Sequence, residues 1–253
     1  MIKVRNLWKR YGKNDILKGL NLDLNRGETL VILGRSGVGK SVLLRQIIGI
    51  EKPDAGTIEV DGVSITNLKK TELYTAVKNM GMLFQGAALF DSMDLEENIA
   101  FYLRQHGNPE TGKPYPESEI KKRVMHALDM VGLLGSEKKL PSQLSGGMRK
   151  RAGLARLIVY RPSILLYDEP TTGLDPITAQ QINELIVRTQ NELQATSIVV
   201  THDISSALYV ADKLALHQDG QIIHMSEPEA FLKISDPTID FLRNSMTITL
   251  RKK

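Results

Sequence analysis

The sequence predicts an α/β fold with a mostly parallel sheet covered by helices, and three observations carry that prediction. The apolar run Thr29-Leu30-Val31-Ile32-Leu33 reads as a buried strand. It leads directly into Gly34-Arg35-Ser36-Gly37-Val38-Gly39-Lys40-Ser41, which fits the GxxxxGK[ST] phosphate-binding pattern, and Ser41 to Ile48 then carries helical spacing. Beyond Pro162, strand-like runs at Ile164 to Tyr167 and Ser197 to Thr201 flank the helical pattern Thr178 to Glu192, the rhythm of a parallel sheet.

Taken in order, Met1 to about Leu83 favours short strands with turns, such as Gly56-Thr57-Ile58-Glu59-Val60-Asp61-Gly62, broken by the helix after the glycine-rich loop. Between about Gln85 and Tyr160 the character changes. Leu95 to Arg104, Ile120 to Leu133 and Met148 to Tyr160 read as helices, with a Pro- and Gly-rich connection at His106 to Glu117. The expected organisation is one domain: a core over about 1–84 and 161–235, a helical insert over about 85–160, and a tail over 236–253. The tail begins helix-like, continues as Met246-Thr247-Ile248-Thr249-Leu250 and ends on Arg251-Lys252-Lys253.

At 253 residues the chain can bury a full core, and with no cysteine it has neither a disulfide framework nor thiolate chemistry. The net charge of +4 is spread along the sequence, so nucleic acid is not an expected partner. The longest apolar runs are far too short to cross a bilayer, which excludes a channel. The start Met1-Ile2-Lys3-Val4-Arg5 lacks the layout of a secretory signal, so a cytoplasmic location is expected.

The chemistry begins at the loop. Glycines let consecutive backbone N–H groups turn toward one cluster of phosphate oxygens, and the helix opening after Gly39 adds the positive end of its dipole. Lys40 is expected on the β- and γ-phosphates, and the Ser41 hydroxyl in the coordination shell of Mg²⁺. The run Ile164-Leu165-Leu166-Tyr167-Asp168-Glu169-Pro170 puts two carboxylates at a strand end, where successive side chains point to opposite sides. Asp168 is expected to act through the Mg²⁺ shell and Glu169 to polarise the attacking water as general base. Leu144-Ser145-Gly146-Gly147-Met148 opens a basic helix with an N-cap serine and two glycines. Taken alone it reads either as another anion-binding end or as an ordinary capped helix.

The phosphate loop, Gln85 after a strand, the Leu144-Ser145-Gly146-Gly147 segment, the Asp168-Glu169 pair, Gly173-Leu174-Asp175-Pro176 and Thr201-His202-Asp203 occur in the order of the ABC transporter ATPases. The chain resembles that family over nearly its whole length. The resemblance implies a P-loop NTPase fold with a RecA-like core, an antiparallel β subdomain and a helical subdomain. It also implies ATP as substrate, with contacts running from Gly34 to Val42. A second copy would dimerise head to tail, so that Ser145, Gly146 and Gly147 of one chain close on ATP held by the other. By the same resemblance Tyr11 stacks on adenine, Gln85 senses Mg²⁺ and water and links to the helical insert, Asp175 crosses the dimer interface, and His202 contacts the γ-phosphate. The other reading of Tyr11 is a half-buried strand tyrosine, with Trp8 the lesser candidate for stacking, and a lone histidine at a strand end such as His202 is usually structural.

Met148, where most of the family carries Gln, the segment Met82 to Phe90, and Asp175-Pro176-Ile177-Thr178 also resemble the ATPases of the Mla or MCE-associated lipid transporters. That likeness implies a peripheral ATPase dimer on the cytoplasmic face of the inner membrane, beneath an integral membrane permease. The permease would connect it to an MCE-domain lipid-binding protein, with room for a small accessory regulatory subunit. The Met148 thioether offers no polar amide, so nucleotide contact at that position is the point of departure from the family. The alternatives are a transporter ATPase for another substrate such as amino acids, a non-transport ABC protein, and a nucleotide-sensing switch, the last disfavoured by Glu169. The segment Gly86 to Phe90 is short, small and apolar, suited to a groove that receives a permease helix or to the insert's own core.

Overall fold

The computed structural model describes residues 1–108 and 111–246. In chain order it holds β1 (Ile2–Tyr11), β2 (Asn14–Leu24), β3 (Thr29–Leu33), α1 (Lys40–Ile47), β4 (Ala55–Val60), β5 (Val63–Ser64), α2 (Lys70–Val77) and β6 (Met80–Leu83). There follow α3 (Leu95–His106), α4 (Glu117–Met130), α5 (Gly146–Ile158), β7 (Ile164–Asp168), α6 (Pro176–Leu193) and β8 (Thr196–Thr201). The chain continues through α7 (Ile204–Val210), β9 (Lys213–Gln218), β10 (Gln221–Ser226), α8 (Pro228–Phe231) and α9 (Pro237–Met246). The tail's expected continuation over 247–253 lies outside the described residues.

The chain divides into two compact units, 1–77 with 196–253, and 78–195. In the first unit an antiparallel sheet runs in the order β2-β1-β4-β5. Its strands β1 and β2 reach 10 and 11 residues, longer than the short strands expected, because bulges between Val4 and Leu7 let one strand bend while it keeps pairing. In the same unit β3 lies parallel to both β8 and β9, and β9 turns back into β10. Every residue of β3 and of β8 is buried, as the continuous apolar runs predict for parallel strands.

In the second unit β6 and β7 pair in parallel, and α5 packs against β6 and against α3, α4 and α6. The expected helices are present with shifted ends. α4 stops at Met130, short of the expected Leu133, because Gly132 takes a left-handed turn. α6 starts two residues before the expected Thr178, at Pro176, a residue pre-shaped for the first helical turn. α2 was not expected from the sequence, and it has no buried residue, so no apolar periodicity marks it.

One buried side chain organises the segment between β6 and α3. Asn98 is fully buried in α3. Its Oδ1 accepts from the Phe90 N–H at 2.8 Å, and its Nδ2 donates to the carbonyls of Phe90, Met93 and Asp94 at 3.1, 2.9 and 3.0 Å. Asp94 and Glu97 close a reciprocal capping box at the helix start. Asn98→Ala leaves these backbone groups without their partner, so a loss of about 2–3 kcal/mol is expected. Urea unfolding monitored by circular dichroism measures it, and a change below about 0.5 kcal/mol would contradict this account.

Candidate active site

In the first unit the loop grows out of the sheet. Leu33 of β3 is level with Thr201 of β8 and Leu216 of β9, so Gly34 and His202 leave their strands, and His217 stands near the end of β9, at the same edge. Ligands of open α/β sheets bind at this carboxyl edge. Gly37 and Gly39 have φ of +83° and +105°, conformations that L side chains rarely adopt. A Cβ on Gly39 would also stand 2.6 Å from Ile16 Cγ2, so the loop presses on β2 with nothing to spare. Ser36 and Val38 complete the turn, and Ser41 and Val42 stand in the first turn of α1 behind Lys40.

Lys40 is 5% exposed, and its Nζ donates to the carbonyls of Gly34 at 2.7 Å and Arg35 at 3.0 Å. The ammonium is thereby folded over the loop it follows. His202, Gly34 and Arg35 line one cavity of about 460 Å³ together with Thr238 and Phe241 of α9. Tyr11 ends β1 half-exposed, its hydroxyl donating to Glu51 while the Lys9 ammonium lies 5.5 Å from the ring centroid. Partial burial and the Glu51 carboxylate raise its pKa above the ordinary phenol value.

The sequence reading missed His217. It is 1% exposed, neither ring nitrogen has a hydrogen-bond partner among the described residues, and its carbonyl lies where a Cβ on Gly34 would approach to 2.7 Å. Burial, and then the charge of Lys40, push its pKa down to about 4, so the imidazole is neutral at pH 7. A lone histidine in an apolar strand gives no signal by itself.

In the second unit the register of β6 with β7 pairs Leu83 with Tyr167. Gln85 and Glu169 therefore each stand two residues past matched strand positions. Asp168 and Glu169 are both buried at 8% exposure. Glu169 takes φ +48°, sparsely populated for a non-glycine residue, and its Oε2 accepts from Thr172 Oγ1 at 3.0 Å. The Gln85 side chain is exposed, while its carbonyl accepts from the buried Lys150 ammonium.

Ser145 caps α5, its Oγ accepting from the Met148 N–H at 3.2 Å, with Gly146 exposed beside it. Gly147 packs on α6 so closely that a Cβ would meet Thr178 Cγ2 at 2.5 Å. Asp175 caps α6: Oδ1 accepts from the N–H groups of Ile177 and Thr178 at 3.1 and 3.0 Å, and Oδ2 from Thr178 Oγ1 at 2.6 Å. Those bonds hold its carboxyl below the usual range. The structure thus brings together Gly34 to Val42 with His202 in one unit, and Gln85 with Asp168 and Glu169 in the other. Phe90, expected in a groove or in the insert's core, lies 37% exposed with Phe101 at 4.7 Å and the Arg156 guanidinium at 4.5 Å from its ring.

A glycine-rich loop between a buried parallel strand and a helix, with a lysine at the first helical position, defines a P-loop nucleoside triphosphatase. The family model described as ABC transporter matches residues 17–172. A probable ribonucleotide transport ATP-binding protein of Mycobacterium leprae is 40% identical over 247 residues, covering 98% of this chain and 70% of the relative. The intermembrane phospholipid transport system ATP-binding protein MlaF of Haemophilus influenzae is 39% identical over 254 residues, covering all of this chain and 94% of the relative. An ATP-binding cassette solved as a dimer in a post-hydrolysis state bound to ADP and Pi matches with a TM-score of 0.81 and 30% identity, over 90% of this chain and 98% of that one. The chain belongs to the ABC transporter family. It is an ATP-hydrolysing protein that works on ATP with Mg²⁺, in the α/β P-loop fold with a RecA-like core, an antiparallel β subdomain and a helical subdomain.

Lys40→Ala removes the cation that overhangs the loop, so ATP affinity and turnover should fall together. Lys40→Arg should restore little, since a planar guanidinium does not replace a compact ammonium. Direct titration with ATP decides: unchanged affinity in Lys40→Ala would place the nucleotide elsewhere.

Proposed function

We propose that the chain is the ATP-hydrolysing subunit of an ABC transporter, working as a head-to-tail pair of copies beneath an integral membrane permease that sets the cargo. The observation that carries this reading is the loop: left-handed Gly37 and Gly39 lead into Lys40, whose ammonium lies over the carbonyls of Gly34 and Arg35. Backbone N–H groups from Gly34 to Ser41, with Val42 behind them, hold the phosphates, and Tyr11 stacks on the base, a contact worth about 1–3 kcal/mol. Asp175 and the Ser145, Gly146 and Gly147 end of α5 serve the ATP held by the second copy.

Glu169 accepts a proton from water as its oxygen attacks the γ-phosphorus. The bond from that phosphorus to the bridging oxygen breaks, and ADP and phosphate leave. His202 contacts the γ-phosphate. Mg²⁺, when bound, neutralises charge developing on the phosphate oxygens. Its proposed holders are the Ser41 hydroxyl, the Gln85 amide and the Asp168 carboxylate. These hard oxygen donors suit an ion that relies on one or two carboxylates and on substrate phosphates.

Glu169→Gln should leave ATP binding intact and slow hydrolysis by roughly 10²–10⁴-fold, so that a dimer persists with ATP. Gel filtration with ATP and a phosphate-release assay test this together. Hydrolysis within a few-fold of the parent would remove Glu169 from the role of base.

The two relatives above are named for different cargoes at 40% and 39% identity, so similarity supports the general transporter subunit better than any one cargo. A phospholipid moved between membranes is the specific cargo we put forward, with another substrate such as an amino acid as the competing reading. It is supported by Met148, the Met82 to Phe90 segment and the Asp175 to Thr178 run. A cavity of about 310 Å³ lined by Phe84, Ala88, Phe101 and Tyr102 suits a permease helix. On this reading the chain is peripheral on the cytoplasmic face of the inner membrane, joined through its permease to an MCE-domain protein and served by a small regulatory subunit. Among the described residues no helix is long and apolar enough to cross a membrane. Purification of the tagged chain from membranes in mild detergent should bring down a permease, an MCE-domain protein and phospholipid. A permease with a soluble-substrate-binding protein and no enriched lipid would replace the phospholipid reading with its competitor.

A further inference from the structure

Lys150 lies in α5, five residues after the Ser145 cap, and is 6% exposed. The buried residues beside it in the helix, among them Ala152, Leu154, Ala155 and Leu157, are apolar or small, so packing alone would place a leucine or methionine there. An ammonium is withdrawn from water only at a cost that its partners must offset. The partners are specific. Lys150 Nζ donates to the carbonyl of Gln85 and, at 3.3 Å, to the carbonyl of Glu169. Those two residues leave β6 and β7 at matched positions, and Lys150 spans them. Burial lowers its pKa, while Asp168 and then Glu169 act in the opposite direction.

We propose that Lys150 is a positioning residue for hydrolysis, tying the backbone of Gln85 to that of Glu169 and fixing both to the helix whose start carries Ser145, Gly146 and Gly147. Glu169 depends on such a tie because its left-handed conformation is unfavourable for a residue with a Cβ and persists only where surrounding contacts enforce it. Thr172 holds the Glu169 carboxylate and Lys150 holds its carbonyl, so side chain and main chain are fixed separately. The inference rests on the reading of Glu169 as the base. Two of the three N–H donors of Lys150 go to main-chain carbonyls, and its effect on turnover passes through the two residues it joins.

In the full chain, Lys150→Met, close in length and apolar, should lower kcat about tenfold or more while KM for ATP stays within about twofold. Lys150→Arg keeps a cation with several donors able to reach both carbonyls and should recover most of the loss. Placed on Glu169→Gln, the Lys150→Met change should cost clearly less than it does alone, since one of the two groups it positions is already gone. Parental kcat in Lys150→Met would overturn the proposal. So would equal losses in the Met and Arg variants that track their melting temperatures, or a full additional loss in the double variant. If Lys150→Met does not fold, Lys150→Gln, with one amide for two carbonyls, is held to the same criteria. Should Glu169→Gln alone keep parental turnover, the base reading fails, and the tie to Gln85 is then judged on the Lys150→Met kcat alone.

Discussion

Burial of β3 between β8 and β9 is the constraint on which the nucleotide half of the molecule depends. A strand closed on both sides by parallel neighbours is held in register by two ladders of main-chain hydrogen bonds and by side chains packed on both faces. Its end is therefore fixed at Leu33. Everything chemical in that unit is counted from there: the glycine turn follows Leu33, His202 follows Thr201, and His217 follows Leu216. The second unit repeats the device with two strands, where Leu83 beside Tyr167 sets Gln85 level with Glu169. In each unit sheet register, rather than any one side-chain contact, decides which groups stand together at the carboxyl edge.

Much of this was legible in the sequence because it rests on backbone demands that few residues satisfy. Left-handed turns ask for glycine at 37 and 39, continuous burial writes an unbroken apolar run at 29–33, and a strand end with two carboxylates stands out against it. The order of the motifs added what spacing could not, including the place of His202 at the loop and the role put forward for Tyr11. The strand-and-helix rhythm after Pro162 similarly marked β7, α6 and β8 within two residues at each end.

What escaped was written in interactions with no side-chain signature. Lys150 binds two carbonyl oxygens, which every residue carries, so nothing in the sequence around Gln85 or Glu169 announces it. His217 is defined by what it lacks among the described residues, a partner for either ring nitrogen. α2 has no buried face to impose a period, and the bulges of β1 against β2 are not marked by any residue type. Asp175 shows the converse. Its three bonds into the first turn of α6 would favour an aspartate there whatever else the position does, so geometry alone leaves two sufficient reasons for one residue.

The four bonds of Asn98 give the segment before α3 a mechanical character. A loop closed by ordinary side-chain contacts absorbs a push by rotating a few dihedrals, and the displacement dies out within it. Here the main chain at Phe90, Met93 and Asp94 is bolted to a single buried amide, and the helix start is clamped a second time by Asp94 and Glu97. The partly exposed ring of Phe90 is thus joined to α3 through the main chain by hydrogen bonds to one buried side chain, with little freedom between ring and helix.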